Sequence, residues 1–97
     1  MGDRIIVYRR DRCGYCWILE RRLRVAGVDY DRRDIRADPE AAAFVRSVND
    51  GDETVPTVVG PDGRVRVNPK PADLLRELGV SKPERRLRLP FRDARRD

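Results

Sequence analysis

The chain has 97 residues and a mass of 11.2 kDa, which allows one domain and excludes a second independent hydrophobic core. Hydrophobic residues make up 39% and charged residues 40%, and no apolar run is long enough for a membrane span or for the core of a signal peptide. We therefore expect a cytoplasmic protein with no membrane partner. The lack of histidine excludes mechanisms that need an imidazole base or ligand from this chain.

The net charge of +5 is concentrated towards the end of the chain. Residues 82–97 contain seven basic and three acidic groups, whereas residues 1–81 contain fifteen basic and fourteen acidic groups. We therefore divide the chain into a domain, residues 1–81, and an arginine-rich C-terminal extension, residues 82–97. Only the extension favours nucleic-acid binding, and we expect no nucleic-acid partner because the domain is nearly neutral and has no row of stacking aromatic residues.

The first half of the chain predicts the order β-α-β-α. Residues 4–8 form a β-branched run typical of a buried strand, and apolar positions at helical spacing follow from Cys16 onward. On this helix we expect Glu20 and Arg24 to pair on another face. Residues 28–35 predict a second strand with charged exposed positions, and an Asp-Pro pair then predicts the start of a second helix. The two strands, joined through a helix, are expected to be parallel.

The second half predicts two short antiparallel strands and a last helix. Residues 57–59 and 65–67 are the strand candidates, and the Gly-Pro-Asp-Gly sequence at 60–63 is a strong hairpin signal. Residues 73–78 carry an apolar helical face, and Gly79 is the predicted C-cap. The complete order β-α-β-α-β-β-α predicts an α/β fold in which helices flank a four-stranded mixed sheet.

Cys13 and Cys16 are the only cysteines and form a C-x-x-C motif where the first strand gives way to a helix. This spacing brings two sulfurs close enough to bridge. The first sulfur lies over unpaired N–H groups at the positive end of the helix, which stabilise a thiolate. The motif therefore indicates redox chemistry, with Cys13 as the nucleophile and Cys16 as the inward-facing sulfur. Arg12, with Arg9 and Arg10, is expected to add positive potential there.

Two other interpretations of the cysteine pair are weaker. A structural disulfide would close a very small loop and add little stability, and the expected compartment is reducing. A zinc or iron–sulfur site would need ligands from a second chain, because two thiolates are too few for either metal centre. A metal site bridging a dimer stays open as an alternative. Our expectation is a monomer with no metal and no bound cofactor.

A proline directly before the third strand is the second informative feature. Alone it is a weak signal because most X-Pro bonds are trans. Together with the C-x-x-C motif and the order of elements it predicts that Pro56 is cis and that its loop faces Cys13. The backbone of Val55 would then be free to pair with a bound thiol in the manner of a strand.

Four aromatic side chains are candidates for contact with substrate. Tyr15 lies between the cysteines and is the best of them. Phe44 lies on the apolar face of its helix and is expected in the core. Trp17 is expected to be half-buried and structural, with a surface role as the alternative because it lies towards the polar side of the helix. For Tyr8, which ends the first strand beside the motif, packing and substrate contact are equally compatible with the sequence.

Five segments, in order and at compatible spacing over about residues 4–79, resemble the mycoredoxins of actinobacteria, which are glutaredoxins of the thioredoxin superfamily. The resemblance implies a thioredoxin-like fold. The segments are Cys13-Gly14-Tyr15-Cys16, Tyr30-Asp31 with Asp34-Ile35, Phe44-Val45-Arg46-Ser47-Val48-Asn49, Thr54-Val55-Pro56-Thr57-Val58, and Asp62-Gly63 followed by Asn68-Pro69.

The resemblance also implies an enzyme, a cytoplasmic thiol–disulfide oxidoreductase that reduces mycothiol mixed disulfides on proteins through nucleophilic Cys13. Its partners would be mycothiolated proteins and a low-molecular-weight thiol, with mycothiol as the reducing co-substrate. The alternative is a dithiol redoxin that reduces protein disulfides, such as that of ribonucleotide reductase, with electrons from a flavoenzyme reductase. The implied thiol-binding residues are Arg12, Tyr15, Val55, Pro56 and Asn68.

The sequence departs from the mycoredoxin pattern at Arg12 and in the C-terminal extension. Arg12 stands where mycoredoxin-like sequences usually have tryptophan, which changes the surface that a substrate meets. Glutaredoxins that use glutathione often have a Gly-Gly-x-Asp segment after the last strand, where residues 68–71 read Asn-Pro-Lys-Pro. Loss of this acidic anchor fits a thiol that is built on amino sugar and inositol and not on a peptide.

Overall fold

The computed structural model describes residues 4–80. Within them the predicted α/β class and the order β-α-β-α-β-β-α are confirmed, and element boundaries differ from the predicted ones by a few residues at most. The extension predicted at residues 82–97 lies outside the described residues. The elements are β1 (Ile5–Arg9), α1 (Gly14–Val25), β2 (Tyr30–Asp34), α2 (Pro39–Val48), β3 (Thr57–Val59), β4 (Val65–Val67) and α3 (Pro71–Glu77).

The four strands form one mixed sheet in the order β2-β1-β3-β4. β1 pairs in parallel with β2, with Arg9 opposite Asp34, and antiparallel with β3, with Tyr8 opposite Thr57. The carboxyl end of β1 therefore lies between the end of β2 and the start of β3. The loop after β4 reaches the same end, because β4 is antiparallel to β3. Four loops therefore meet at this end of the sheet, and the first of them contains the cysteine motif.

Buried side chains form two clusters, one on each face of the sheet, as the alternation of strand residues requires. One cluster joins β1 and β3 to the helices α1 and α3, and the other joins β1 to α2 and the start of α1. The first contains Ile5, Val7, Leu19, Leu23, Val58 and Leu74, and the second contains Tyr8, Cys16, Ile35, Ala41, Ala42, Val45 and Val55.

The helix α2 begins as its Asp-Pro pair predicts. The Asp38 carboxylate accepts hydrogen bonds from the backbone N–H groups of Glu40 and Ala41, at 3.1 and 3.3 Å, and Pro39 is the first helical residue. Such a cap stabilises a helix by about 1 kcal/mol. Within residues 4–80, no helix combines the length and the apolar character needed to cross a membrane.

Glu20 is buried, and the predicted pairing with Arg24 is wrong. The Glu20 carboxylate accepts hydrogen bonds from Nε of Arg9 at 3.0 Å, from Nε of Arg32 at 2.7 Å and from the Tyr30 hydroxyl at 3.0 Å. Arg24 donates to the Tyr30 hydroxyl instead, at 3.2 Å. Arg9 of β1 and Arg32 of β2 reach Glu20 where α1 packs on the sheet. They take the place of Arg24, the partner expected one turn along the helix.

Burial has opposite effects on the pKa values of Arg9 and Tyr30, two of the three partners of Glu20. It lowers the pKa of Arg9, but the hydrogen bond and the charge of Glu20, followed by Asp11 and Asp34, more than compensate, and the pKa of Arg9 is raised overall. Burial raises the pKa of Tyr30, and the hydrogen bond to Glu20 raises it further. Both raised pKa values favour the protonated forms that donate to Glu20, and these hydrogen bonds hold α1 on the sheet.

Candidate active site

Cys13 lies at the junction of β1 and α1. The chain reverses direction at Arg12, whose φ of 62° is in the left-handed region that few residues other than glycine adopt. Cys13 is then extended and is the N-cap of α1, and its Sγ accepts a hydrogen bond from the backbone N–H of Cys16 at 3.1 Å. The same N–H would stabilise a thiolate at Cys13 in the reduced protein.

The two cysteines form a disulfide in this structure, with their Cα atoms 5.2 Å apart. Cys16 has no exposed surface, as its position on the apolar stripe of α1 predicts, whereas Cys13 is half-buried. A substrate therefore has direct access only to the sulfur of Cys13. The arrangement supports exchange at one accessible sulfur, with a second sulfur close enough to close the disulfide.

The loop before β3 faces Cys13, and the prediction of a cis Val55-Pro56 bond is confirmed. The carbonyl oxygen of Val55 lies 4.0 Å from Sγ of Cys13. The backbone N–H of Asn68 donates to the carbonyl oxygen of Pro56 at 2.7 Å, which ties this loop to the end of β4. The N–H of Val55 has no acceptor within the described part of the chain. An extended thiol compound could pair with it.

The remaining predicted thiol-binding residues surround this centre. Tyr15 is in the first turn of α1 between the cysteines, and 70% of its surface is exposed. Arg12 and Asn68 are exposed as well, with Asn68 reaching the site through its backbone contact to Pro56. The structure thus places Arg12 and Tyr15 on the cysteine side of the site and Asn68 on the proline side.

Tyr8 packs against α2. Its ring stacks on that of Phe44, with centroids 4.8 Å apart and an angle of 26° between the planes, and Tyr8 is only 8% exposed. Phe44 packs against the core, as predicted. Burial raises the pKa of Tyr8, while Arg33 lowers it and Asp38 raises it by smaller amounts. Of the two interpretations of Tyr8, the structure supports packing.

Trp17 is 61% exposed, and the expectation of a half-buried, structural residue is wrong. Trp17 falls outside the buried stripe of α1, which contains Cys16, Leu19 and Leu23. Helical spacing therefore directs its side chain away from the core. Because Ile18 beside it is 46% exposed, α1 presents an apolar surface next to the cysteine motif.

Arg9 does not contribute free positive charge at Cys13, contrary to prediction. Its guanidinium forms ion pairs with Glu20 at 3.0 Å, Asp11 at 3.3 Å and Asp34 at 3.5 Å. Sequence reasoning also missed Arg36, which lies beside the cysteine loop because it follows β2. Part of the signal was present, since the loops after two parallel neighbouring strands meet at one end of a sheet.

Comparison with known families agrees with this geometry. A sequence model described as Glutaredoxin matches residues 5–65, a range that contains both cysteines and the cis proline. The chain belongs to the glutaredoxin family. It is a thiol–disulfide oxidoreductase that acts on thiol substrates through a C-x-x-C redox centre.

This glutaredoxin is similar to Mycoredoxin 1 of Corynebacterium glutamicum. The two are 39% identical over 74 residues, which are 76% of this chain and 91% of the relative. The predicted resemblance to mycoredoxins is therefore confirmed at the level of sequence.

Two solved structures confirm the thioredoxin-like fold of this glutaredoxin. A point mutant of the thioredoxin-like protein BC3987 superposes with a TM-score of 0.73 at 28% identity, covering 84% of this chain and 100% of that one. NrdH-redoxin from Escherichia coli, a glutaredoxin-like protein with a thioredoxin-like activity profile, superposes with a TM-score of 0.68 at 26% identity, covering 81% and 99%.

Proposed function

We propose that this glutaredoxin removes mycothiol from mixed disulfides on proteins in the cytoplasm, with Cys13 as the nucleophile and mycothiol as the reducing co-substrate. The observation that carries the chemistry is the placement of the two sulfurs. Cys13 is half-buried at a helix N-cap and accepts a backbone hydrogen bond at 3.1 Å, while Cys16 is fully buried. The likeness to a protein named Mycoredoxin 1 supports the choice of thiol.

The reaction consists of two thiol–disulfide exchanges. In the first, the Cys13 thiolate attacks the mycothiol sulfur of the mixed disulfide. A disulfide forms between Cys13 and mycothiol, and the protein cysteine leaves as a thiolate that takes a proton from solvent. In the second, the thiolate of another mycothiol attacks the mycothiol sulfur bound to Cys13. Mycothiol disulfide leaves, the Cys13 thiolate is regenerated, and the protein cysteine has gained the two electrons.

Backbone groups around Cys13 account for the first exchange. The N–H of Cys16 stabilises the attacking thiolate, and the free N–H of Val55 pairs with the bound thiol in the manner of an added strand. In this proposal Pro56 shapes the loop that carries Val55, and Asn68 holds that loop through its hydrogen bond of 2.7 Å. The exposed ring of Tyr15 offers a surface for the sugar part of the thiol.

A dithiol redoxin is the second candidate, favoured by the fold likeness to NrdH-redoxin and by the disulfide between the cysteines. On this route the Cys13 thiolate attacks one sulfur of a protein disulfide and bonds to it, while the other protein sulfur leaves as a thiolate. Cys16 then attacks the Cys13 sulfur and releases the protein thiol. The product is the Cys13–Cys16 disulfide, which a flavoenzyme reductase would have to reduce. The two candidates therefore differ in their need for Cys16 and in their electron donor.

Assays of two serine variants separate these candidates. On a protein that carries a mycothiol mixed disulfide, with mycothiol supplied, we expect Cys13→Ser to be inactive and Cys16→Ser to retain activity. On a protein disulfide, Cys16→Ser should be inactive. If Cys16→Ser is also inactive on the mycothiol substrate, the dithiol route replaces the proposed one. Residual turnover by Cys13→Ser would contradict both.

A further inference from the structure

A cleft of about 470 Å³ lies beside the cysteine loop, on the side away from Val55. Its lining consists of Arg10, Asp11, Arg12 and Arg36. The first three belong to the loop after β1 and Arg36 to the loop after β2. The pairing of Arg9 with Asp34 at the ends of these parallel strands brings the two loops together. The cleft and Cys13 therefore share one end of the sheet.

The guanidinium groups of the three arginines of this cleft have no partners within residues 4–80. None of their side chains makes a hydrogen bond or an ion pair there, and Asp11, the one acidic lining residue, is paired with Arg9 at 3.3 Å. Arg21, Arg22 and Arg64 also have no side-chain partner in this range, but none of them lines the cleft. Other arginines are paired, as Arg46 is with Glu53 at 2.7 Å. Residues 1–81 are nearly neutral, with fifteen basic and fourteen acidic groups, so the positive charge of the cleft is a local feature.

Unpaired guanidinium groups that converge on a cleft suit a carboxylate. Each presents several N–H donors in a planar fork that matches the two oxygens of a carboxylate. Three such groups against one carboxylate that is already paired leave the cleft with an excess of positive charge. An acidic ligand would satisfy donors that the fold itself leaves open to solvent.

The strand order indicates which half of a mixed disulfide this ligand belongs to. β1 lies between β3, whose preceding loop contains Val55, and β2, whose following loop contains Arg36. A small thiol that pairs with Val55 occupies the β3 side of Cys13. The β2 side, with the cleft, is then left for the protein that carries the thiol. A residue next to the reacting cysteine of an extended substrate lies only about 3.3 Å along the chain from it, close enough to reach Arg12.

We propose that this arginine cleft binds acidic side chains that flank the reacting cysteine of the protein substrate, and that the enzyme thereby prefers substrates with acidic sequences at that position. The inference rests on the proposed exchange at Cys13 and adds the class of protein substrate that this exchange prefers. The interaction would raise the affinity for the protein substrate. This gain would shrink as salt is added, since solvent-exposed charges are screened over about 10 Å at 0.1 M ionic strength.

Two peptides that differ only in charge test this inference. Each has a single cysteine in a mixed disulfide with the same neutral small thiol, flanked by aspartate in one peptide and by asparagine in the other. For the unmodified enzyme we expect kcat/KM to be about tenfold higher on the aspartate peptide at low salt, and the ratio to fall towards one at high salt. A ratio near one at low salt would overturn the inference.

Matched double variants locate the effect. Arg10→Gln/Arg36→Gln should lose the aspartate preference, and Arg10→Glu/Arg36→Glu should favour a third peptide flanked by lysine. Arg21→Gln/Arg64→Gln makes the same change in charge on α1 and on the β3–β4 hairpin, and should keep the preference. An equal loss of preference in this control, or its persistence in Arg10→Gln/Arg36→Gln, would contradict binding in the cleft. Failure of both peptides to react would contradict exchange at Cys13 itself, and the inference with it.

Discussion

Arg9 and Glu20 form a buried ion pair that joins β1 to α1. Nε of Arg9 lies 3.0 Å from Oε2 of Glu20, and their side chains are 15% and 4% exposed. Arg9 also contacts Asp34 at the end of β2, at 3.5 Å. The strand that leads into the cysteine loop is thereby fixed to the helix that begins at Cys13. The pair is a part of the scaffold on which the position of the sulfur depends.

We expect Glu20→Gln to lower the free energy of unfolding by about 2 kcal/mol, because it removes the charge of the buried carboxylate that Arg9 and Arg32 contact. Arg9 keeps its longer contacts with Asp11 and Asp34. The matched control is Glu53→Gln, which breaks the exposed pair with Arg46 and should cost less than about 1 kcal/mol. Urea unfolding of both variants provides the comparison. Equal losses would show that the buried pair adds nothing beyond a surface pair.

The case of Glu20 shows what sequence patterns could not predict. The rule that residues four apart on a helix interact is local, and it directed Glu20 to Arg24. The true partners, Arg9 and Arg32, are eleven and twelve residues away and reach Glu20 only through the packing of α1 on the sheet. A charged residue that is buried by distant partners has no signature in the periodicity of its own helix.

The parts of the site that depend on local signals were predicted well. The C-x-x-C motif follows a β-branched run, so its place at the end of β1 and the start of α1 could be read directly. The cis Val55-Pro56 bond needed the C-x-x-C motif and the order of elements as well as the proline, because a proline before a strand is usually trans. Arg36 lies beside the cysteine loop because the loops after the parallel strands β1 and β2 meet at one end of the sheet. The parallel pairing was predicted, but which side chain of the second loop faces the first depends on the path of that loop, which has no signature in the sequence.

The raised pKa of Tyr8 predicts how stability changes at alkaline pH. In the unfolded chain a tyrosine ionises at about pH 10, whereas in the folded protein Tyr8 stays protonated to higher pH. The stability that this shift contributes is present below about pH 10 and is lost as the pH rises through the folded-state pKa.

We therefore expect Tyr8→Phe, which keeps the stacked ring, to reduce the loss of unfolding free energy above pH 10. Chemical denaturation at pH 8 to 11 measures how steeply the free energy of unfolding falls with pH. The control is Trp17→Phe, which changes an exposed aromatic ring that carries no ionisable group and should keep the pH dependence of the unmodified protein. A Tyr8→Phe variant with an unchanged slope would contradict the assignment.

The different exposure of the two cysteines predicts their order of alkylation. After reduction of the disulfide, brief treatment with iodoacetamide at neutral pH should modify Cys13 first, because Cys16 has no exposed surface. Peptide mass spectrometry of the digested protein identifies the labelled residue. Denatured protein is the control, in which both cysteines should react. Equal labelling of the two in the folded, reduced protein would be inconsistent with a buried Cys16.

Removal of residues 82–97 should leave exchange at Cys13 on a small mixed disulfide intact, within about twofold. Every residue assigned here to that exchange lies between Arg12 and Asn68. The deletion removes seven basic and three acidic groups, so we expect the rate with an acidic protein partner to fall at low salt through weaker steering. Reductase assays of the truncated chain test both statements, and a large loss on the small substrate would place the extension in the active fold.

The choice of thiol is tested most directly by the mass of the adduct that forms on Cys16→Ser. In this variant Cys13 attacks an oxidised small thiol and keeps one half of it, because the second sulfur is absent. The reduced variant is incubated with equal concentrations of mycothiol disulfide and glutathione disulfide, and intact-mass spectrometry identifies the product. We predict an adduct of mycothiol at Cys13 in large excess over that of glutathione. A glutathione adduct in equal or greater amount, or no adduct at Cys13, would contradict the proposed function.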